Sequence, residues 1–268
     1  MKNYIYRLIS GSAFLLITVV GFFLTIHNTV YTAPLAEDIN YAAAPSLMIV
    51  LNFYTGMYTV VPLILFLLVI PWVTHYQTFQ WKKEKFDDQI ALRKGKKQGF
   101  FQLLLDSIRQ IWFYPVIVNG VLVLLTVLFV HNFPLVTDAY DYFYFVKNLI
   151  GDIVVFTLLQ IVGWSLLNLL CYMAAEYITN VYLYPFVLLL VSLALTFLVS
   201  FLSGASSGIH WIFSALSPFE LLAPGVITLL TPPSASTRLI MVALSFVLYT
   251  VIFVILYQNM KKRRMYYG

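Results

Sequence analysis

The sequence predicts an all-α, polytopic membrane protein: six transmembrane helices, both termini cytoplasmic, and a re-entrant helical hairpin between the fifth and sixth spans. Three observations carry that expectation. The 268-residue chain is 61% hydrophobic and 10% charged, against about 25% charged in an ordinary soluble domain. Its apolar residues fall in continuous runs of about 20, the length that crosses a bilayer as helix, whereas a β-barrel would alternate over segments of about ten. Its basic residues gather in the segments that six spans would leave on one side.

The first span is Leu8–Ile26. It follows "MKNYIYR" and precedes "TAPLA", which superficially resembles a signal peptide. Its 19 residues exceed the roughly 7–15 of a signal-peptide core, so a retained helix is expected. The second span, Leu47–Val73, carries Asn52, Tyr54 and Tyr58.

A basic loop, 74–111, then interrupts the apolar pattern. From Gln98 onward, Phe101, Leu104, Leu105, Ile108, Ile111 and Trp112 recur at helical spacing, while Gln98, Gln102, Asp106 and Arg109 share another face. Such a helix suits the inner membrane surface, where lysines grip lipid headgroups, or a docking surface for a cytoplasmic partner.

The third span, Trp112–Val130, contains Asn119. In the fourth, Ile150–Met173, Gln160, Trp164 and Asn168 stand four residues apart on one face. Polar residues inside spans usually hydrogen-bond neighbouring helices, so these side chains either join helices or line a cavity. Only "AAEYITN" separates this span from the fifth, Val181–Leu202; the sixth is Leu239–Tyr257. One membrane domain fills residues 1–268.

Between the last two spans, region 204–237 is apolar but cut by Pro218, Pro224, Pro232 and Pro233. The 13 residues between Pro218 and Pro232 reach under about 20 Å as helix, too short for a hydrocarbon core of about 30 Å. Two short helices that dip in from outside and return fit this pattern.

Fourteen of the sixteen basic residues fall on the side of the termini; only Lys147 and Arg238 fall opposite. The net charge of +5 therefore reflects topology and anionic lipid, with no nucleic-acid signal. No phosphate loop, H-E-x-x-H, G-x-S-x-G or Cys/His cluster occurs, so neither catalytic residues nor a metal site is expected. The single Cys171 excludes an intrachain disulfide. Few acids lie within the spans, which argues against ion-coupled transport.

Six spans, a basic amphipathic helix before the third and a broken outer hairpin resemble the ABC-2 type permeases, the membrane subunits of ATP-driven exporters. "GFFQLLLDS", Gly99–Ser107, is similar to the segment entering that family's third span, and "LSPFELLAP", Leu216–Pro224, to its re-entrant Leu-Ser-Pro-Phe stretch. The resemblance implies that loop 74–111 couples to a cytoplasmic ABC ATPase, present in two copies, through Asp87, Asp88, Arg93, Gln98, Gln102, Asp106 and Arg109. ATP and Mg would sit on that partner, with no cofactor and no enzymatic activity on this chain. A second permease, identical or related, would complete a groove in the plasma membrane of a bacterial cell.

Asn52, Tyr54, Tyr58, Asn119, Gln160, Trp164 and Asn168 would line that groove, favouring an amphipathic or hydrophobic cargo such as a peptide or lipid. Phe219, Leu222 and Ile227 would form an external gate, or else lie in a flat outer cap. The alternative is a non-transporting immunity, scaffolding or assembly protein. The orientation is testable directly: single cysteines at Asp38, Tyr140 and Ser206 are expected to label from outside intact cells, and those at Lys96 and Lys262 are not.

Overall fold

A helix that packs on most of its sides needs apolar residues on nearly all its faces, and Leu149–Ala175 has them. The computed structural model describes residues 2–27, 46–54, 61–71, 96–130, 145–178, 180, 182–205, 215–225 and 235–266. Among these residues every regular element is a helix. In chain order they are α1 (Lys2–Ile26), α2 (Met48–Asn52), α3 (Val61–Pro71), α4 (Lys96–Ile111), α5 (Tyr114–Phe129), α6 (Leu149–Ala175), α7 (Leu183–Ala205), α8 (Phe219–Leu222) and α9 (Ala235–Tyr266).

Helix α6 is the hub, packing against α2, α4, α5, α7, α8 and α9. Its N-terminal half keeps one exposed stripe, Ile150, Val154, Leu158 and Val162, at the i, i+4 spacing of a single face. Beyond Val162 the helix has no exposed residue. An aromatic cluster ties α1, α3 and α5 to it. Phe14 stacks on Tyr114 at 4.3 Å, and both Phe14 and Phe66 approach Trp164, at 5.9 and 5.2 Å.

Among the described residues three stretches are long and apolar enough to cross a membrane: Leu104–Phe129, Leu149–Ala175 and Ser236–Met260. Gly11–Ile26, Val61–Pro71 and Leu183–Val199 are apolar but shorter. Large apolar side chains face outward along these helices, including Leu16, Phe129, Leu190, Phe197, Phe201 and Val247. An exposed surface of this kind suits lipid, and the described residues fit a helical, membrane-associated protein.

The predicted second span, Leu47–Val73, is not one continuous helix. After Asn52 the Tyr54 N–H bonds to the Leu51 carbonyl at 3.0 Å, an i to i−3 closure that tightens the chain into a turn. Helix α9 begins at Ala235, four residues before the predicted span, and takes in Arg238. The third span matches α5 closely, and Pro115 explains its start: a proline has no N–H to donate to Ile111, so α4 and α5 meet at a turn over Trp112–Phe113.

The Leu149 end of α6 is pinned by two side chains. Asn148 caps it by accepting from the Gly151 N–H at 3.0 Å. Asp152, fully buried, accepts from the backbone N–H groups of Phe145 and Val146 at 2.7 and 3.2 Å. Replacing Asp152 with Ala leaves both donors without this acceptor and is expected to cost about 1–3 kcal/mol. Asp152→Asn, which keeps an acceptor oxygen, should recover most of that loss in thermal unfolding of the purified protein.

Candidate functional site

The polar residues that the sequence places in separate spans converge on one carbonyl. Tyr54 donates its hydroxyl proton to Asn119 Oδ1 at 2.7 Å, and Asn119 Nδ2 donates to Gln160 Oε1 at 2.8 Å and Thr157 Oγ1 at 2.9 Å. Gln160 Nε2 and Trp164 Nε1 then both donate to the Leu222 carbonyl, at 2.8 and 3.0 Å. The donors thus run from the turn after α2, across α5 and α6, into the end of α8. Tyr54, Asn119, Gln160 and Trp164 are all buried.

A four-residue helix leaves most of its carbonyls outside any internal ladder. Within a membrane each unsatisfied group costs several kcal/mol, so irregular backbone there is held by protein. Gln160 and Trp164 meet that need for Leu222. Gly163, between them, makes the approach possible: a Cβ at this position would overlap the Leu221 carbonyl oxygen. Position 163 lies 14 residues into α6, about 21 Å along its axis. Helix α8 therefore sits against the middle of the hub.

The turn after α8 has its own fixings. Gly225 adopts φ +73°, a left-handed conformation suited to glycine, and a Cβ there would meet the Phe145 ring. Its N–H donates to Glu220 Oε1 at 2.6 Å, and its carbonyl accepts from Arg238 Nη1 at 2.7 Å. Glu220 and Arg238 are 0% and 2% exposed. Tyr249 on α9 donates to the Leu216 carbonyl at 2.6 Å, and Thr196 on α7 lies 3.2 Å from Ser217.

Asn168 stands apart from this network. Its Nδ2 donates to both the carbonyl and the hydroxyl of Ser107, each at 2.8 Å, fastening α4 to α6. Leu104 packs beside it with Tyr172, Met173 and Met260. On the opposite face of α4, Gln102 and Arg109 are exposed, and Arg109 reaches Asp106 at 3.7 Å. Gln98 lies in the first turn of the helix. Asn52 is half-buried beside the turn.

The expected gate residues Phe219 and Leu222 are 4% and 0% exposed, inside the core of this same chain. Asp87, Asp88, Arg93, Tyr58 and Ile227 lie outside the described residues. Among the described residues, sequence reading missed that three ionisable side chains are buried: Asp152, Glu220 and Arg238. The signal was present, since Glu220 is the one acid in the apolar region 204–237 and ionisable residues in such surroundings mark functional sites by default.

Comparison of the chain with protein-family models, with curated proteins and with solved structures finds no match.

Closure of the network around Gly163 yields a sharp contrast. Gly163→Ala is expected to push α8 outward and destabilise the protein by about 1–3 kcal/mol, the usual cost of overpacking. Gly120→Ala, where a Cβ meets nothing within 4 Å, should be neutral or stabilising by up to about 1 kcal/mol. Equal unfolding temperatures for the two variants would contradict the seating of α8.

Proposed function

We propose that the chain is the membrane permease subunit of an ATP-driven exporter, crossing the plasma membrane six times with both termini cytoplasmic. It works with two copies of a separate ABC ATPase, which binds the ATP and Mg, and with a second permease chain, identical or related. Its cargo is amphipathic or hydrophobic, a peptide above all, with lipid as the second class.

The observation that supports this reading is the joint attachment of α4 and α8 to one helix. Asn168 fastens α4, and Gln160 with Trp164 fastens the hairpin, eight and four residues apart along α6. A displacement of α4 by a partner would thus be felt at the hairpin through a single rigid element. Exposed Gln102 and Arg109, with half-buried Asp106, give α4 a polar face.

A second reading, a non-transporting immunity, scaffolding or assembly protein, draws support from the same network. Tyr54, Asn119, Gln160 and Trp164 are engaged with one another and with Leu222, so within one chain they bind each other and no cargo.

Exchanging the exposed pair, Asp106→Arg with Arg109→Glu, separates the two. The swap keeps an i, i+3 ion pair but reverses the charge offered to a partner, and surface changes of this type usually alter stability by less than about 0.5 kcal/mol. The permease reading expects the native chain to co-purify with an ATP-hydrolysing subunit and the swapped chain to lose it, at unchanged membrane levels. A native chain that purifies without any ATPase would favour the second reading.

A further inference from the structure

The strongest unexplained feature is the Glu220 carboxyl. It sits on α8, fully buried, and only one of its oxygens is used: Oε1 accepts from the Gly225 N–H, while Oε2 is buried with no hydrogen-bond partner. An ionised carboxylate offers about four acceptor sites and needs donors for them. Leaving one oxygen bare at this depth is costly for the charged form and much less so for the neutral acid.

Among the described residues, few groups around it could offset a negative charge. Arg238 is the nearby cation, and it commits Nη1 to the Gly225 carbonyl, so Gly225 stands between the two charges. On α9 Tyr249 is the other titratable neighbour. On α6 the hairpin meets Gly163, Gln160 and Trp164, none of which titrates. Asp152 lies eight residues earlier, engaged with the Phe145 and Val146 amides, and Phe145 in turn covers Gly225. On α7 Thr196 faces Ser217.

We propose that Glu220 is a proton-binding site: its carboxyl is neutral while the hairpin is packed against α6, and it passes its proton to water when the hairpin separates. The balance is simple, because the Oε2–H bond breaks, the carboxylate keeps the electron pair and a water molecule takes the proton. Burial with Oε2 unpartnered favours the neutral form in the packed state, opposed by the Gly225 N–H and by Arg238. A group raised in the packed state favours that state fully below its open-state value. The advantage fades as pH rises through the packed-state value. Acidification therefore holds the hairpin closed, and alkaline pH loosens it.

Infrared spectroscopy of the full chain in lipid nanodiscs tests this. At neutral pH the native protein should show a protonated-carboxyl C=O band that disappears on alkalinisation. Glu220→Gln, which mimics the neutral acid, should lack that band, and Asp152→Asn should retain it. Thermal unfolding supplies a second measurement that needs no variant: the native midpoint should fall as pH rises from mildly acidic to alkaline. Where Glu220→Gln folds, its own midpoint should vary less with pH over that range. A Glu220→Gln spectrum identical to native at neutral pH, or a native midpoint that does not change over this range, overturns the proposal.

Discussion

One carbonyl oxygen sets the arrangement of the rest. The Leu222 C=O, at the end of a four-residue helix, is the terminus of a donor chain that begins at Tyr54 and passes through Asn119 and Gln160, with Trp164 joining at the end. Each link is modest, about 0.6 kcal/mol on average between helices in membranes. Their weight comes from the alternative, since an unsatisfied carbonyl or amide at that depth costs several kcal/mol. Helix α8 can sit inside the helix bundle because these groups serve one another, and because Gly163 offers no side chain where Leu221 must lie.

From that anchor the other contacts follow in sequence. With α8 seated, the chain turns at Gly225, in a conformation that suits glycine. Its amide and carbonyl draw Glu220 and Arg238 into the interior, and Phe145, held by Asp152, closes over the turn. At the other end of α6, Asn168 and Ser107 bind α4 by the same type of hydrogen bond. The export reading uses this architecture as a lever. The polar face of α4 and the packed hairpin are two attachments on one helix, and a push at the first has a rigid route to the second.

Much of the fold was legible in the sequence. Apolar run length gave the positions of α1, α5, α6, α7 and α9, because a bilayer demands a fixed length of helix. The spacing of Gln160, Trp164 and Asn168 showed a polar face on α6. It could not show that the first two serve a hairpin and the third serves α4. Such pairings join residues about 60 positions apart, as Gln160 with Leu222 at separation 62 and Asn168 with Ser107 at 61. The prolines of region 204–237 marked a broken segment but not the burial of α8, where Phe219 and Leu222 lie in the chain's own core. The turn at Phe53–Tyr54 was hidden because the run from Leu47 onward is apolar enough to read as one helix. Its purpose is visible only beside Asn119, where it aims the Tyr54 hydroxyl.

The seating of α8 in the bundle is the claim on which all of this rests, and accessibility at Ala223 tests it most directly. Ala223 is fully buried one residue beyond Leu222, and Cys171 is the sole native cysteine, so Ala223→Cys in a Cys171→Ser background places a single thiol of nearly native size at the site. The measurement is its rate of reaction with a membrane-impermeant maleimide in folded and in denatured protein. The account predicts no reaction in the folded protein, complete reaction after denaturation, and measurable reaction in the folded state once Gly163→Ala is added. Rapid labelling of the folded parent would place the end of α8 in water and contradict the account.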